Sequence, residues 1–344
     1  KMNDQVLVTG INGFIAKQVA VRLLKAGYSV RGTVRHKETE ATVIESIARA
    51  GGDVSRLSFV VVDLTQSSGW NSAVDSCRFV QHIASPVPLE SPANRETLVP
   101  IARDGSLRVI QAAIGAGVER IVMTSSIDTM VYRNKRLKNF TVTESDWTDP
   151  ELSVLSAYTV SKIRAELAAW DLVEKVKKKN ILTVINPGMV MGPAIDRNIS
   201  ASLVMLELIL RRAYPALPST AYPIVDVRDL SELHLQVMTN SEVGGRRLIA
   251  ASDTLSMREI AEIMRAELGP HGRRIPRLNL PSFMVKLMAM FDPMIRTVLA
   301  DLDLRPTADS AYVTKLTGVV FRPAREAVVA AGNSLIELGL IATN

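Results

Sequence analysis

Short apolar runs alternate with amphipathic stretches through the first half of the chain. Such runs are bounded by glycine, proline or polar residues and predict buried strands. They lie at residues 5–9, 29–34, 57–62, 79–84, 119–124 and 181–188. Residues 14–26, 93–116 and 156–170 carry apolar positions at helical spacing between these runs. Because strands alternate with helices, we predict an α/β fold of the Rossmann type, with a doubly wound parallel sheet.

The pattern changes after residue 188, where prolines interrupt the chain more often. Residues 202–212 predict an apolar helix, and residues 224–227 and 248–251 predict short strands. Ser256 and Glu259 have the spacing of a capping box that opens a further helix. The remaining sequence is helical in pattern and rich in methionine. We therefore expect a smaller, mostly helical region at the C-terminal side.

Composition indicates a globular protein, since the 344 residues are 47% hydrophobic and 22% charged. The net charge of +6 is scattered apart from basic runs at 133–138 and 175–179, which favours solvated surfaces over a nucleic-acid site.

The single cysteine, Cys77, excludes an internal disulfide and a cysteine-based zinc site, so we expect no metal and a cytoplasmic location. The early first strand leaves no room for a signal peptide, and the apolar stretch 283–291 contains Lys286 and is too short to span a bilayer, so we expect no membrane association.

A glycine-rich turn follows the first predicted strand. Gly10 permits a tight turn, Gly13 lets a pyrophosphate approach the backbone, and the small Ala16 lets the next helix pack closely. The N-terminus of that helix would face the anion. Asn12 stands where the usual dinucleotide fingerprint has glycine, and this motif alone fits a structural turn without a ligand equally well.

The second predicted strand is followed by Arg35, at the position where NAD-preferring sites usually carry an acidic residue. No acidic side chain follows Arg35 before Glu38. A guanidinium here can bind a ribose 2′-phosphate through charge-assisted hydrogen bonds, so the sequence favours NADP(H). The alternative is a surface arginine at a strand end. Asp63 and Leu64, after the third strand, are placed to meet the adenine edge.

Tyr158 and Lys162 are the candidate chemical pair. Four residues apart on a helix, they share one face, where an ammonium can lower the pKa of a phenol and make it a proton donor near neutral pH. The spacing alone is a weak signal. The flanking strands strengthen it, because they end in polar segments at 124–126 and 186–188. Ligands of open parallel sheets bind at the carboxyl ends of strands, so these groups should meet in one crevice.

Together these motifs resemble those of the extended short-chain dehydrogenase/reductase family, within it the dihydroflavonol 4-reductase-like carbonyl and aldehyde reductases. The resemblance covers essentially the whole chain and is weakest where such enzymes build their substrate pockets. It rests on residues 9–16, 31–35, 63–64, 82–86, 124–126, 158, 162, 186–188, 192–193 and 225–229. It implies an NADP-binding Rossmann domain of residues 1–188 plus 223–252. Residues 189–222 plus 253–344 would then form the substrate-binding region.

The resemblance also implies a catalytic triad of Ser126, Tyr158 and Lys162. NADPH would deliver hydride to a carbonyl carbon, Tyr158 would protonate the oxygen, and Ser126 would hydrogen-bond it. Lys162 would tune Tyr158 and hold the nicotinamide ribose. Ser126 is preferred to Ser125 because the family's catalytic serine is the second of such a pair. The expected cofactor contacts are Gly10, Asn12, Gly13, Phe14, Ile15, Arg35, Lys37, Asp63, Leu64, Ala84, Ser85, Thr124, Tyr158, Lys162, Pro187, Gly188 and Val190.

The residues expected to cover the nicotinamide are mostly apolar, which predicts an aromatic or medium-chain carbonyl substrate. They are Val87, Leu89, Ile127, Met130, Met189, Met191, Leu217 and Tyr222. Two alternatives share the fold: a nucleotide-sugar epimerase or dehydratase, which normally keeps NAD bound, and a non-catalytic NADP sensor, which typically lacks the tyrosine and lysine. The expected partner is a small-molecule carbonyl compound, with the protein a monomer or homodimer.

Overall fold

The computed structural model describes residues 4–87, 92, 94–134, 137–273 and 275–341. Leu89, residue 93 of the predicted helix, and residues 135–136 of the first basic run lie outside the described residues. The strands are β1 (Gln5–Val8), β2 (Ser29–Val34), β3 (Leu57–Val61), β4 (Phe79–His82), β5 (Arg120–Thr124), β6 (Asn139–Val142), β7 (Leu182–Pro187), β8 (Met189–Met191), β9 (Ala216–Pro218), β10 (Ala221–Asp226), β11 (Arg247–Ala250), β12 (Thr254–Ser256), β13 (Leu278–Leu280) and β14 (Arg305–Ala308). The helices are α1 (Phe14–Lys25), α2 (Glu40–Arg49), α3 (Trp70–Val74), α4 (Gly105–Gly115), α5 (Asp128–Val131), α6 (Ala157–Lys175), α7 (Ala201–Leu210), α8 (Val227–Thr239), α9 (Met257–Glu267), α10 (Gly269–Gly272), α11 (Ser282–Met288), α12 (Pro293–Arg296), α13 (Ala311–Thr317) and α14 (Ala324–Glu337).

Seven described strands form a parallel central sheet in the order β11-β7-β5-β4-β1-β2-β3. β2 and β3 lie on one side of β1, and the later strands lie on the other side, so the strand order reverses between β1 and β4. These two parallel strands are direct neighbours, with Val6 opposite Phe79. In sheets of this order a ligand crevice opens between the carboxyl ends of those two strands. The predicted doubly wound parallel sheet is therefore confirmed.

Neighbouring residues of a strand point to opposite faces of the sheet, and here helices cover both faces. On β1, Val6 and Val8 join a core cluster that includes α1, α2 and α8, whereas Leu7 joins a second cluster with α3, α4 and α6. Burial on both faces explains why the strands appear in the sequence as continuous apolar runs.

Two segments differ from their sequence patterns. The helix predicted from residue 93 starts later, with a wide helical turn over Pro100–Asp104 that leads into α4. Pro100 lacks an N–H, so it is tolerated in the first turn of a helix but not in its interior. The segment between Ser126 and the helix predicted from residue 156, for which no element is predicted, contains α5 and the strand β6. Its partner β14 comes from more than a hundred and fifty residues later, with Asn139 opposite Arg305.

The C-terminal side contains small sheets as well as the expected helices. In one of them, β10 lies between β8 and β12, with Ile224 opposite Met189. Residues 221–226 thus extend a small sheet outside the central one, while α8 directly after them packs on α1. The division into a cofactor domain and a substrate-binding region stays a prediction. Among the described residues no helix is both long and apolar enough to cross a membrane.

Candidate active site

The glycine turn lies at the crevice between β1 and β4. Gly10 has a φ of +64°, in the left-handed region that favours glycine. A Cβ added there would lie 3.0 Å from the Cβ of Ala84, so the two strand ends are in close contact. Gly13 directly precedes α1, and its N–H donates to the carbonyl of Gly10 at 2.9 Å. No acidic side chain lies in the first turn of α1, so its positive end suits a phosphate.

Two contacts that the sequence did not reveal hold this turn in place. The carbonyl oxygen of Asn12 accepts a hydrogen bond from Asn198 Nδ2 at 2.6 Å. Lys17 of α1, which is 1% exposed, forms a salt bridge with Asp196. Phe14 is buried in the core, whereas Ile15 faces the central cavity described below. The turn is thereby tied to the segment that leads into α7.

Arg35 and Lys37 follow the end of β2 and are both exposed. Asp63, after β3, is close enough for the charge of Arg35 to act on it. Hydrogen bonds from the backbone and hydroxyl of Thr65 lower the pKa of Asp63, and the positive charge of Arg35 adds to this effect. Leu64 packs at the start of α4, against Gly105. The basic pair lies just after β2, the strand next to β1, and its contact with a ribose phosphate stays a prediction.

The three predicted catalytic side chains line one cavity of about 480 Å³. Tyr158 lies in the first turn of α6, whose start is capped by Ser156 Oγ, which accepts from the Thr159 N–H at 3.1 Å. Lys162 Nζ donates to the carbonyl oxygen of Thr124 at 3.1 Å and lies 5.9 Å from the centre of the Tyr158 ring. Ser126 completes the group from the end of β5. The helix and the strand end thus bring the three residues together.

The electrostatics of Tyr158 differ from the expectation. Burial raises the pKa of the Tyr158 phenol, the negative charge of Asp128 raises it further, and a hydrogen bond with Ser126 lowers it. Burial lowers the pKa of Lys162 to about 8, against the opposing effect of the Glu166 and Asp128 carboxylates. The expected net lowering of the Tyr158 pKa is therefore not found, because burial and the nearby Asp128 carboxylate raise the pKa.

Most of the predicted cofactor and substrate residues at the crevice line this cavity. They are Ile15, Ser85, Val87, Thr124, Ser126, Ile127, Tyr158, Lys162, Pro187, Gly188, Met189, Val190, Leu217 and Tyr222. Met130 and Met191 do not line the cavity, so their predicted place in the substrate pocket is wrong. Both are fully buried, Met130 in the cluster with Ile163 and Met191 in the main core. A methionine in the sequence fits a pocket wall and a core equally well, and only packing separates the two.

Ser125 has a different environment from Ser126. Its hydroxyl donates to the Glu166 carboxylate at 2.5 Å, and Glu166 also accepts from Asn186 Nδ2 at 2.9 Å and from Arg247 Nε at 2.6 Å. Glu166 is fully buried and lies one turn beyond Lys162. This network fastens α6 to the ends of β5 and β7 and to β11. Ser125 and Ser126 both line the cavity, but the Ser125 hydroxyl already donates to Glu166.

Polar residues that the sequence reading missed also line the cavity. Asp128 Oδ2 accepts from Thr159 Oγ1 at 3.2 Å. Tyr132 donates to Asp301 Oδ1 at 2.5 Å, and Tyr222 donates to Asp301 Oδ2 at 3.2 Å. Asp128 could have been found from its position two residues after Ser126. Asp301 lies far along the chain and has no local signal.

The chain matches the model of the NAD dependent epimerase/dehydratase family over residues 6–250 and belongs to that family. This confirms the resemblance to extended short-chain dehydrogenases/reductases.

Individual relatives refine the comparison. Cinnamoyl-CoA reductase 1 of Petunia hybrida is 34% identical over 262 residues, 75% of this chain and 76% of that protein. Tetraketide alpha-pyrone reductase 2 of Arabidopsis thaliana is 31% identical over 316 residues, 85% of this chain and 97% of that protein. The crystal structure of yeast methylglyoxal/isovaleraldehyde reductase Gre2 complexed with NADPH has a TM-score of 0.80 at 24% identity, covering 98% of this chain and 100% of that one. At that identity the likeness shows the fold alone. The relatives from Petunia hybrida and Arabidopsis thaliana support a reductase activity.

Proposed function

We propose that this protein is an NADPH-dependent carbonyl reductase that converts a largely apolar ketone or aldehyde to an alcohol, reversibly. The observation that carries the proposal is the convergence of Ser126, Tyr158 and Lys162 on one cavity beside the glycine turn. A sensor without catalysis would not require this triad. Membership of the family and the reductase names of the relatives support the same class of reaction.

The residues at the crevice fit a dinucleotide. A side chain at Gly10 would fill the space beside Ala84, and the start of α1 presents backbone N–H groups to a pyrophosphate. Arg35 and Lys37 would hold the ribose phosphate, and Lys162 would hold the ribose next to the nicotinamide. When bound, NADPH supplies the hydride that reduces the carbonyl carbon.

The chain itself supplies the proton and the binding of the oxygen. Tyr158 donates its phenolic proton to the substrate oxygen, and the Ser126 hydroxyl hydrogen-bonds the same oxygen. Because burial raises the pKa of Tyr158, the phenol stays protonated at neutral pH, as reduction requires. The Lys162 ammonium then stabilises the phenolate that forms.

The substrate is inferred from the cavity walls away from the catalytic group. Most of those walls are aliphatic, aromatic or methionine side chains. A wall of this kind favours hydrocarbon and would leave sugar hydroxyls unpaired, at roughly 1 to 3 kcal/mol for each buried group. An apolar carbonyl compound therefore suits the cavity better than a nucleotide sugar.

The test is a panel of aryl ketones and medium-chain aldehydes, followed by the loss of NADPH absorbance, beside calorimetric titration with UDP-sugars. We expect NADPH consumption with the carbonyl compounds and no measurable sugar binding. Tight binding of a UDP-sugar without turnover of any ketone would favour the epimerase alternative. Binding of NADPH without turnover of either class would favour the sensor.

The pH profile offers a further prediction. Lys162 carries its charge below a pKa of about 8, so the charge is lost as the pH rises through that value. We expect kcat/KM for ketone reduction to be level near pH 7 and to fall above about pH 8, approaching tenfold per pH unit. Measurement from pH 6 to 10 with saturating NADPH tests this, with circular dichroism at each pH as a control for folding. A level profile up to pH 10 would contradict a role for the ammonium.

A further inference from the structure

Asp128 introduces a carboxylate into the cavity beside the catalytic group. It begins α5, directly after the end of β5, and it lines the same cavity as Tyr158 and Lys162. Its role follows from its contacts with Ser126 and Thr159. Ser126 lies at the end of β5, and Thr159 follows Tyr158 on α6.

The position of Asp128 relative to the substrate oxygen follows from Ser126. The backbone N–H of Asp128 donates to Ser126 Oγ at 3.2 Å, and its carboxylate accepts from Thr159 Oγ1 at 3.2 Å, one residue after Tyr158. Asp128, Ser126 and Tyr158 line the same cavity, in which Ser126 and Tyr158 would hold the carbonyl oxygen of the proposed substrate. A group on the carbon next to the carbonyl is therefore within its reach.

The surroundings of Asp128 favour a hydrogen-bond donor as its partner. A carboxylate offers about four acceptor positions, of which the Thr159 hydroxyl uses one. The positive charge of Lys162 on α6 acts on the Asp128 carboxylate. The negative charge of Asp128 in turn raises the pKa of three tyrosines, which are Tyr158 of α6, Tyr132 after α5 and Tyr222 of β10. Burial raises the pKa of Asp128, whereas the hydrogen bond from Thr159 and the positive charge of Lys162 lower it and favour the carboxylate form. Because the cation Lys162 is already close, a neutral hydroxyl is favoured over an ammonium.

We propose that Asp128 selects carbonyl substrates with a hydroxyl group on the carbon next to the carbonyl, and that this hydroxyl donates to the Asp128 carboxylate. The inference rests on the proposed carbonyl reductase activity and narrows its substrate class to α-hydroxy carbonyl compounds with an apolar remainder. Asp128 contacts the substrate in this arrangement without taking part in proton or hydride transfer.

The test compares kcat/KM for α-hydroxyacetophenone and α-methoxyacetophenone, which differ in the ability of the oxygen to donate. We expect the wild-type protein to prefer the hydroxy ketone by about tenfold or more, the effect of one hydrogen bond to a charged group. Asp128→Ala should remove most of that preference, and Asp128→Asn should retain part of it because the amide oxygen still accepts. Asp171→Asn, which changes an exposed carboxylate on α6, should leave the preference unchanged.

The ratio of the two kcat/KM values does not change when part of the enzyme is unfolded. Circular dichroism checks the folding of each variant. An equal preference in wild type and Asp128→Ala would overturn the assignment, as would a wild-type ratio near one. Stronger preference for α-aminoacetophenone in its protonated form would overturn the choice of a hydroxyl. If none of these ketones, nor any other carbonyl compound in the panel, consumes NADPH, the proposed function fails first, which is a distinguishable result.

Discussion

Tyr158→Phe should bind NADPH as the wild-type protein does and lose most of its turnover, by about a hundredfold or more. The substitution removes the phenolic proton and leaves the ring, so the packing of α6 is kept. Fluorescence titration with NADPH and steady-state ketone reduction measure the two properties separately.

The structure provides a matched control for this variant. Tyr312 is an exposed tyrosine on α13 that accepts a hydrogen bond from Arg246 and does not line the cavity. Tyr312→Phe should therefore reduce ketones at the wild-type rate. Lys162→Ala should impair both turnover and NADPH binding, because the ammonium serves the phenol and the ribose. A Tyr158→Phe protein that reduces its best ketone at near the wild-type rate would rule out the assignment of the proton donor.

Arg35→Ala should raise the KM for NADPH by on the order of tenfold to a hundredfold and leave the KM for NADH nearly unchanged. The loss corresponds to roughly 1.5 to 3 kcal/mol for a charge-assisted contact with the 2′-phosphate. The structure adds a reason for a clear effect. The charge of Arg35 acts on Asp63, so removing the guanidinium leaves the Asp63 carboxylate without that compensating charge near the expected phosphate site.

The control for Arg35 is another exposed arginine, at the C-terminal end of α2. Arg49 pairs with Glu45 on α2, and Arg49→Ala should change neither KM. Lower ionic strength should enlarge the difference between wild type and Arg35→Ala, since exposed charges are screened by salt. Equal loss of affinity for NADPH and NADH would show that Arg35 does not read the phosphate.

The sequence was sufficient for features that depend on neighbouring residues. The apolar runs located the strands of the central sheet, and the glycine turn located the crevice between β1 and β4. The four-residue spacing placed Tyr158 and Lys162 on one face of α6, where the structure has them. Each of these is set by backbone periodicity or by a conformation that glycine adopts most readily, and such preferences are written locally.

Tertiary structure decided the features that join distant parts of the chain. The pairing of β6 with β14, and the hydrogen bond of Tyr132 to Asp301, connect residues without any shared local pattern. Met191 and Met189 have the same side chain two residues apart, yet one is in the core and the other lines the cavity. The pKa of Tyr158 likewise depends on how deeply the start of α6 is buried and on the charge of Asp128. Burial and long-range contacts arise only when the whole chain has folded, which is why the local sequence could predict the proposed catalytic pair but not its surroundings.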